Sequence, residues 1–395
     1  MIYKSLLELS STISSGLTPL RSNSEFWENG SIPWLKTEQL GDKYIYETNE
    51  HISNAALEKT SIKLFPENSI SIAMYGEGKT RGNLSILKKT MATNQACCNV
   101  VINPEKADFE YVYYFLKTQY EELRNLSSGV RNNLNTSDIK NYPIRLPENL
   151  KRQRAISKVL KTLDDKIELN NHINIELEVM AKTLYDYWFV QFDFPDTNGK
   201  PYKTSGGKMV YNPILKRKLP EGWETATLGE IADLYQPKTI SEKEMTENGQ
   251  YLVYGANGIV GRYDHYNHEQ SVVAITCRGN SCGEINVTRP YSWITGNAMV
   301  VKPLSSSLPP TYIYNLLRSS SLENVITGSA QPQITRTNLA PIKIIKPDEM
   351  TLNKYTDFVK SNFEKRIAIL DENEHLSKLR DWLLPMLMNG QVTVT

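Results

Sequence analysis

RQRAISKVLKTLDDKIELNNHINIELEVMAKTLYDYWF, residues 152–189, holds neither proline nor glycine, and its apolar residues recur at alternating intervals of three and four. Ile156, Leu160, Leu163, Ile167, Leu177, Ala181, Leu184 and Trp188 share one seam, a heptad pattern kept up over roughly four to five heptads. At about 1.5 Å per residue such a helix runs roughly 55 Å. A seam that long calls for a partner helix rather than only a globular core. Asn170 and Asn174 interrupt it with polar side chains, which weaken helix pairing but specify register and orientation.

The partner is expected near the C-terminus. Val359, Phe363, Ile367, Leu370, Leu376, Leu379 and Leu383 repeat at helical spacing, with Asn373 among them. Leu177 aligns with Leu376 and Asn174 with Asn373, both at an offset of 199, so the chain reads as an internal duplication. Working outward, Asn68 to Met74, Leu84 to Lys88 and Cys98 to Ile102 read as strands, followed by a helix from Asp108 to Leu126. The second half repeats this order with strands at Ser271 to Thr276, Glu284 to Thr288 and Ala298 to Val301, and a helix at Thr311 to Leu317. Between the halves, Phe192 to Pro220 is rich in Pro, Gly, Lys and Thr and reads as a linker. Two paired long helices can return the chain only by running antiparallel, which relates the two halves by an approximate two-fold axis.

The 395 residues carry 45 Lys plus Arg against 44 Asp plus Glu, a net charge of +1, so a nucleic-acid footprint has to come from local clustering. There is no basic N-terminal segment followed by an apolar run, and no stretch approaches about 18 apolar residues, so a cytoplasmic protein is expected. Cys97, Cys98, Cys277 and Cys282 have no zinc-type spacing and read as small buried thiols.

Two enzyme signatures occupy the same place in the repeat. Gly78-Lys79-Thr80 ends like a phosphate-binding loop, but Ala73 stands where the leading glycine belongs. Gly279-Asn280-Ser281-Cys282-Gly283 fits a nucleophile elbow. Both motifs need a helix directly after them, whereas β-like alternation follows each, so both read as hairpin turns. No Gly-x-Gly-x-x-Gly loop is present, and the five histidines lack metal-ligand spacing. The expectation is a chain that binds rather than reacts, with no catalytic residues and no metal ligands.

LYDYWF (Leu184 to Phe189) followed by Phe192 to Pro195, and LRDWLLPMLMNGQV (Leu379 to Val392), resemble the conserved helical regions of specificity subunits of type I restriction-modification enzymes. IPWLKTEQL (Ile32 to Leu40), NQACCNVV (Asn94 to Val101), LPENLKRQRAISKVL (Leu146 to Leu160), LPEGWETATLGEI (Leu219 to Ile231) and GSAQPQIT (Gly328 to Thr335) follow in the family's order. Asp348 to Lys354 departs from it by lacking the Gln-Arg-Ala-Ile run of the first helix. The resemblance implies an α+β protein with two similar target-recognition domains, separated by two long helices paired as an antiparallel coiled coil, with a pseudo-two-fold internal repeat. The expected boundaries are 1–148 for the first recognition domain, 149–191 for the central helix, 192–219 for a linker, 220–347 for the second domain and 348–395 for the C-terminal helix.

The resemblance further implies a DNA-specificity subunit that reads a two-part target in double-stranded DNA, docks two methyltransferase (M) subunits and is joined by endonuclease (R) subunits. It implies no cofactor in this chain, with S-adenosylmethionine, ATP and Mg used by the partners. The DNA contacts expected are Lys79, Arg81, Asn94, Gln95, Arg131, Asn132 and Asn133 in the first half, and Arg278, Asn280, Asn297, Gln331 and Gln333 in the second. Arginine suits guanine edges, asparagine and glutamine suit adenine edges, and lysine suits phosphates. Leu184, Tyr187, Trp188, Phe189, Trp382 and Leu387 are expected to contact partner subunits, because those helix ends are apolar all round. The competing reading is a coiled-coil scaffold whose repeated domains bind other proteins; it accounts for the helices but not for the Arg, Asn and Gln loops.

Overall fold

The computed structural model describes residues 1–76, 80–126, 133–256, 258–320, 322–328 and 331–394. By contact density the chain divides into two units, Met1–Glu168 with Asn373–Thr395, and Leu169–Glu372. The division cuts both long helices, so each unit takes a length of each.

The first long helix spans Leu150–Tyr185. Pro147 precedes it, and the Asn149 carboxamide oxygen accepts from the Lys151 amide at 2.8 Å, satisfying one of the amides a helix start leaves unpaired. At its end the backbone widens into π geometry over Asp186–Val190 before Phe192 turns with φ of 68°. The second long helix, Glu349–Asn389, begins where Asp348 accepts from the Thr351 amide at 2.9 Å, and it stops at Gly390, whose φ of 73° makes the left-handed C-terminal turn.

Unit 1 holds a five-stranded sheet ordered Ser10–Ser15, Cys97–Ile102, Ile70–Ala73, Leu84–Leu87 and Tyr44–Ile45. Unit 2 repeats the first four places with Ala232–Tyr235, Ala298–Pro303, Val273–Thr276 and Ile285–Val287. Each unit adds a three-stranded sheet containing one parallel pairing, Trp34 with Ala92 and Val253 with Trp293. Each also closes its ends with an antiparallel pair, Ile2–Ser5 on Pro143–Leu146 and Glu224–Thr227 on Lys343–Lys346. Shared strand order and shared pairing sense are what a duplication leaves behind. The helix Phe109–Thr118 packs Tyr111, Val112 and Leu116 inward, and Pro310–Ser319 does the same with Tyr312, Ile313 and Leu317.

Within unit 1 the apolar core gathers Ile156 and Leu160 from one long helix with Leu387 and Met388 from the other. Asp164 receives a hydrogen bond from Arg380 Nη1 at 2.9 Å there. Within unit 2, Asn170 donates to Glu372 at 2.7 Å and Arg366 donates to Glu178 at 3.3 Å, so residue numbers rise along one helix as they fall along the other. Asn170 and Asn174 are both buried, as polar seam positions should be, and the two carboxamide heteroatoms of Asn174 have no hydrogen-bond partner.

The family-like Gln153, absent from the second helix, proves to be a buried strut. Its amide accepts from Asp108 N at 2.9 Å and donates to Pro147 O at 2.7 Å. In unit 2 Asp348, at the start of the second long helix, accepts instead from Trp223 Nε1 at 2.9 Å.

The stretch 192–219 differs from the linker expected of it. Phe192, Phe194 and Leu219 enter the core of unit 2, Phe194 stacks on Tyr202 and Trp223, and Met209–Asn212 pairs with Arg217–Pro220 as a hairpin. Its Pro and Gly content reflects tight turns rather than a free connection, because aromatic burial outweighs the turn-forming composition. Among the described residues no helix is long and apolar enough to cross a membrane.

Candidate nucleic-acid interface

In unit 1 the strand Ile70–Ala73 ends at Met74, whose amide donates to Ala96 O at 2.8 Å and whose carbonyl accepts from Leu134 N at 3.2 Å. Leu17 N donates to Thr93 O at 2.9 Å. These bonds gather the segments near 17, 74, 95 and 134 at one end of the sheet. Unit 2 builds the same junction: Cys277 N donates to Asn297 O at 3.0 Å, and Cys277 O accepts from Ile334 N at 3.0 Å. Backbones approach closely at both junctions, and each needs a glycine there. A Cβ on Gly16 would lie 2.0 Å from Thr93 O, and one on Gly296 would lie 2.9 Å from Pro237 O.

The unit 2 junction opens into a cleft lined by Tyr235, Gln236, Arg278, Gln333, Thr335 and Arg336 over an apolar floor of Leu234, Met299 and Ile334. Among the described residues its lining includes two arginines and no carboxylate, so its field favours an anion. Arg278 and Gln333 are brought together by a backbone bridge, and Gly279 N donates to Pro332 O at 3.2 Å. Asn280, Asn297 and Gln331 are exposed.

In unit 1 Gln95 is exposed and accepts a hydrogen bond from Thr18, whereas Asn94 accepts from Ala96 N at 3.1 Å and so shapes its own turn. Asn133 is half-buried beside Leu134. Arg81 is half-buried and its Nε is without a hydrogen-bond partner. Lys79, Arg131 and Asn132 lie outside the described residues.

Sequence reasoning missed Gln236, Thr335 and Arg336. Gln236 escapes a repeat search at offset 200, because Ile2–Ser5 and Glu224–Thr227 correspond at an offset of 222 while Pro143–Leu146 and Lys343–Lys346 correspond at 200; Thr335 and Arg336 lie where the offset is 200 and carried no signal of their own.

The turn reading of the second glycine motif agrees with the structure, while Gly78 and Lys79 of the first lie outside the described residues. Gly283 N donates to Thr276 O at 2.9 Å and Gly82 N to Ala73 O at 2.9 Å, with positive φ at Gly82, Gly279 and Gly283, and a strand follows each turn. Cys97, Cys98 and Cys277 are buried, and among the described residues no cluster of His, Cys, Asp and Glu could hold a metal ion.

Tyr235, at the rim of the cleft, is held by His268. Their rings stack, and Tyr235 Oη lies 2.8 Å from His268 Nε2. Burial, with Lys302 adding to it, pushes the His268 imidazole down from 6.5 to about 4. A depressed histidine contributes stability that is present in full above about pH 6.5 and lost as pH falls toward about 4, at most roughly 3 kcal/mol. Unfolding of the chain in denaturant at pH 7 and pH 4.5 should show this loss, and His268→Asn should flatten it; an equal pH slope in the variant would remove His268 as its source.

The residues expected to meet partners separate into two groups. Trp188 and Phe189 lie in the core of unit 2 and Leu387 in that of unit 1, so the folded chain already covers them. Leu184 is half-buried, while Tyr187 is 38% exposed and Trp382 is 58% exposed. Further apolar side chains of the first long helix, Ile175, Val179 and Met180, also face solvent in unit 2.

A family model described as "Type I restriction modification DNA specificity domain" matches residues 4–179 and 220–370. The type I restriction enzyme MjaIX specificity subunit of Methanocaldococcus jannaschii is 29% identical over 412 residues, covering 97% of this chain and 91% of that protein. The EcoprrI specificity subunit of Escherichia coli is 25% identical over 356 residues, covering 84% and 80%. A crystal structure of a type I restriction-modification S subunit from M. genitalium shares the fold, with a TM-score of 0.62 at 19% identity over 98% of this chain and 95% of that one.

Proposed function

From the premise that this chain belongs to the type I restriction-modification DNA specificity family, we propose that it is the DNA-specificity subunit of such a complex, reading a two-part duplex target with one loop cluster per unit. The observation that carries this reading is the junction built twice from equivalent backbone bonds at Met74 and Cys277, each presenting polar side chains at the same end of the same sheet. A scaffold of protein-binding repeats would not need the two arginines that line the unit 2 cleft with no carboxylate among the described residues beside them.

Base edges are read by Arg278, Asn280, Asn297, Gln331 and Gln333 together with Gln236 and Arg336 in unit 2, and by Arg81, Gln95 and Asn133 in unit 1. Asn94 shapes the loop, and Lys79, Arg131 and Asn132 complete the set. The two long helices pair as an antiparallel coiled coil, and their exposed aromatic side chains dock modification subunits, two per chain by the repeat. Methyl transfer and cleavage, with S-adenosylmethionine, ATP and Mg, belong to those partners and to the endonuclease subunits.

Selection from random duplexes by the chain assembled with its modification subunits should return a split motif, and affinity should fall steeply with salt as phosphates are neutralised. Selection without sequence preference would overturn the reading. Because the helix Leu150–Tyr185 contributes to both units, its length bears on the spacing of the two half-sites. Four residues inserted beside Asn170 lengthen it by roughly 6 Å, which corresponds to a spacer longer by about one to two base pairs. An unchanged spacer, or altered half-sites, would sink that part of the proposal.

A further inference from the structure

Gln236 leaves the end of the strand Ala232–Tyr235 and reaches the cleft with its side-chain orientation already determined from behind. Cys277, fully buried, lies beneath it. The thiol sulfur is 3.1 Å from Asn297 O and 3.8 Å from Gly296 O, and Gln236 Nε2 is 2.9 Å from the same sulfur. A thiol has one proton, and the nearer carbonyl takes it. Toward Gln236 the sulfur can therefore only accept, so the amide nitrogen faces the thiol.

One N–H of the carboxamide is consumed in this way. The second N–H and Oε1 stay on the outer edge, and this donor–acceptor pair matches N7 and N6–H of adenine in the major groove. Arg278 and Arg336, which offer donors alone, line the same cleft and suit the O6 and N7 acceptors of guanine. Resting on the DNA-recognition reading above, we propose that Gln236, positioned by the buried Cys277, reads an adenine in the half-site of unit 2, beside a guanine taken by the flanking arginines.

Cys277 touches no base and acts through Gln236 as a positioning residue. Unit 1 lacks the device: the corresponding place is Met74, a thioether without a proton, which accepts from Thr136 Oγ1 at 3.7 Å. The half-motif read by unit 1 is therefore an internal control for folding and assembly.

The test is motif selection from random duplexes by the full chain assembled with its modification subunits, beside methylation mapping of the host chromosome. Gln236→Ala should relax a single A·T position in one half-motif by roughly tenfold to a hundredfold. The other half-motif should remain as it was. Cys277→Ser, which keeps a proton and lone pairs, should preserve the motif, while Cys277→Val should relax the same position more weakly than Gln236→Ala. An unchanged motif in Gln236→Ala, no A·T pair at the affected position, or a loss spread over both half-motifs overturns the proposal. If the unsubstituted complex selects no motif at all, the DNA-recognition reading itself has failed.

Discussion

Tyr187→Glu and Trp382→Glu should each abolish co-purification with the modification subunits while leaving the chain folded. Both side chains are large aromatics held in solvent, 38% and 58% exposed, on helix ends whose Trp188, Phe189 and Leu387 lie in the cores. Exposed aromatics of this kind anchor protein interfaces, and truncating one at an interface centre typically costs about 2 kcal/mol or more, roughly thirtyfold in affinity. A carboxylate forced into the same apolar contact adds the cost of desolvating a charge. Leu387→Glu, by contrast, would lose assembly through the fold, because Leu387 is 1% exposed in the core of unit 1. Co-purification read beside the unfolding midpoint separates the two routes. Assembly retained in both surface variants would remove these side chains from the partner contact.

Asp164→Ala should destabilise unit 1 far more than Glu178→Ala destabilises unit 2. Asp164, with its side chain 10% exposed, accepts from Arg380 at 2.9 Å and from the Tyr114 hydroxyl, and lies 3.4 Å from Lys43, which also pairs with Glu110 at 2.9 Å. Removing it leaves the Arg380 and Lys43 cations in a site built for their counter-charge, and breaking a buried pair costs about 3–5 kcal/mol. Glu178 has the same role in unit 2, bonded to Tyr314 at 2.8 Å, Arg318 at 3.0 Å and Arg366 at 3.3 Å, but its side chain is 32% exposed. Water screens that network, and its loss should cost about 1 kcal/mol. Denaturant unfolding of the two variants measures the difference, and equal losses would show that burial does not set the value of these clusters.

Much of the architecture was legible in local order along the chain. The heptad seam, the glycine turns and the repeat are periodic or short-range signals, and the two copies obey them in parallel. Asn170 and Asn174 could be assigned to a buried seam because a single helix face was being read. The polar loops were legible only in kind: Arg, Asn and Gln between repeated glycines suggest base recognition, but which of them share a cleft depends on segments near 236, 278 and 333 meeting in space.

Tyr187 and Trp188 mark the same boundary. Adjacent in sequence, both aromatic and both in the π turn at an apolar helix end, they take different sides of it; Trp188 packs on Tyr355 in the core and Tyr187 faces solvent. The heptad seam includes Trp188 and passes over Tyr187, but that the uncovered side stays in solvent rather than packing elsewhere is decided by what covers each face. The stretch 192–219 tells the same story from the other side, its turn-rich composition overridden by three aromatic rings, Phe194, Tyr202 and Trp223, that stack at the core of the second unit. By itself the sequence determined periodicity, duplication and chemical repertoire, because these depend on neighbours along the chain. Tertiary structure alone decided burial and convergence, because Gln236 acquires its orientation from a cysteine 41 residues away.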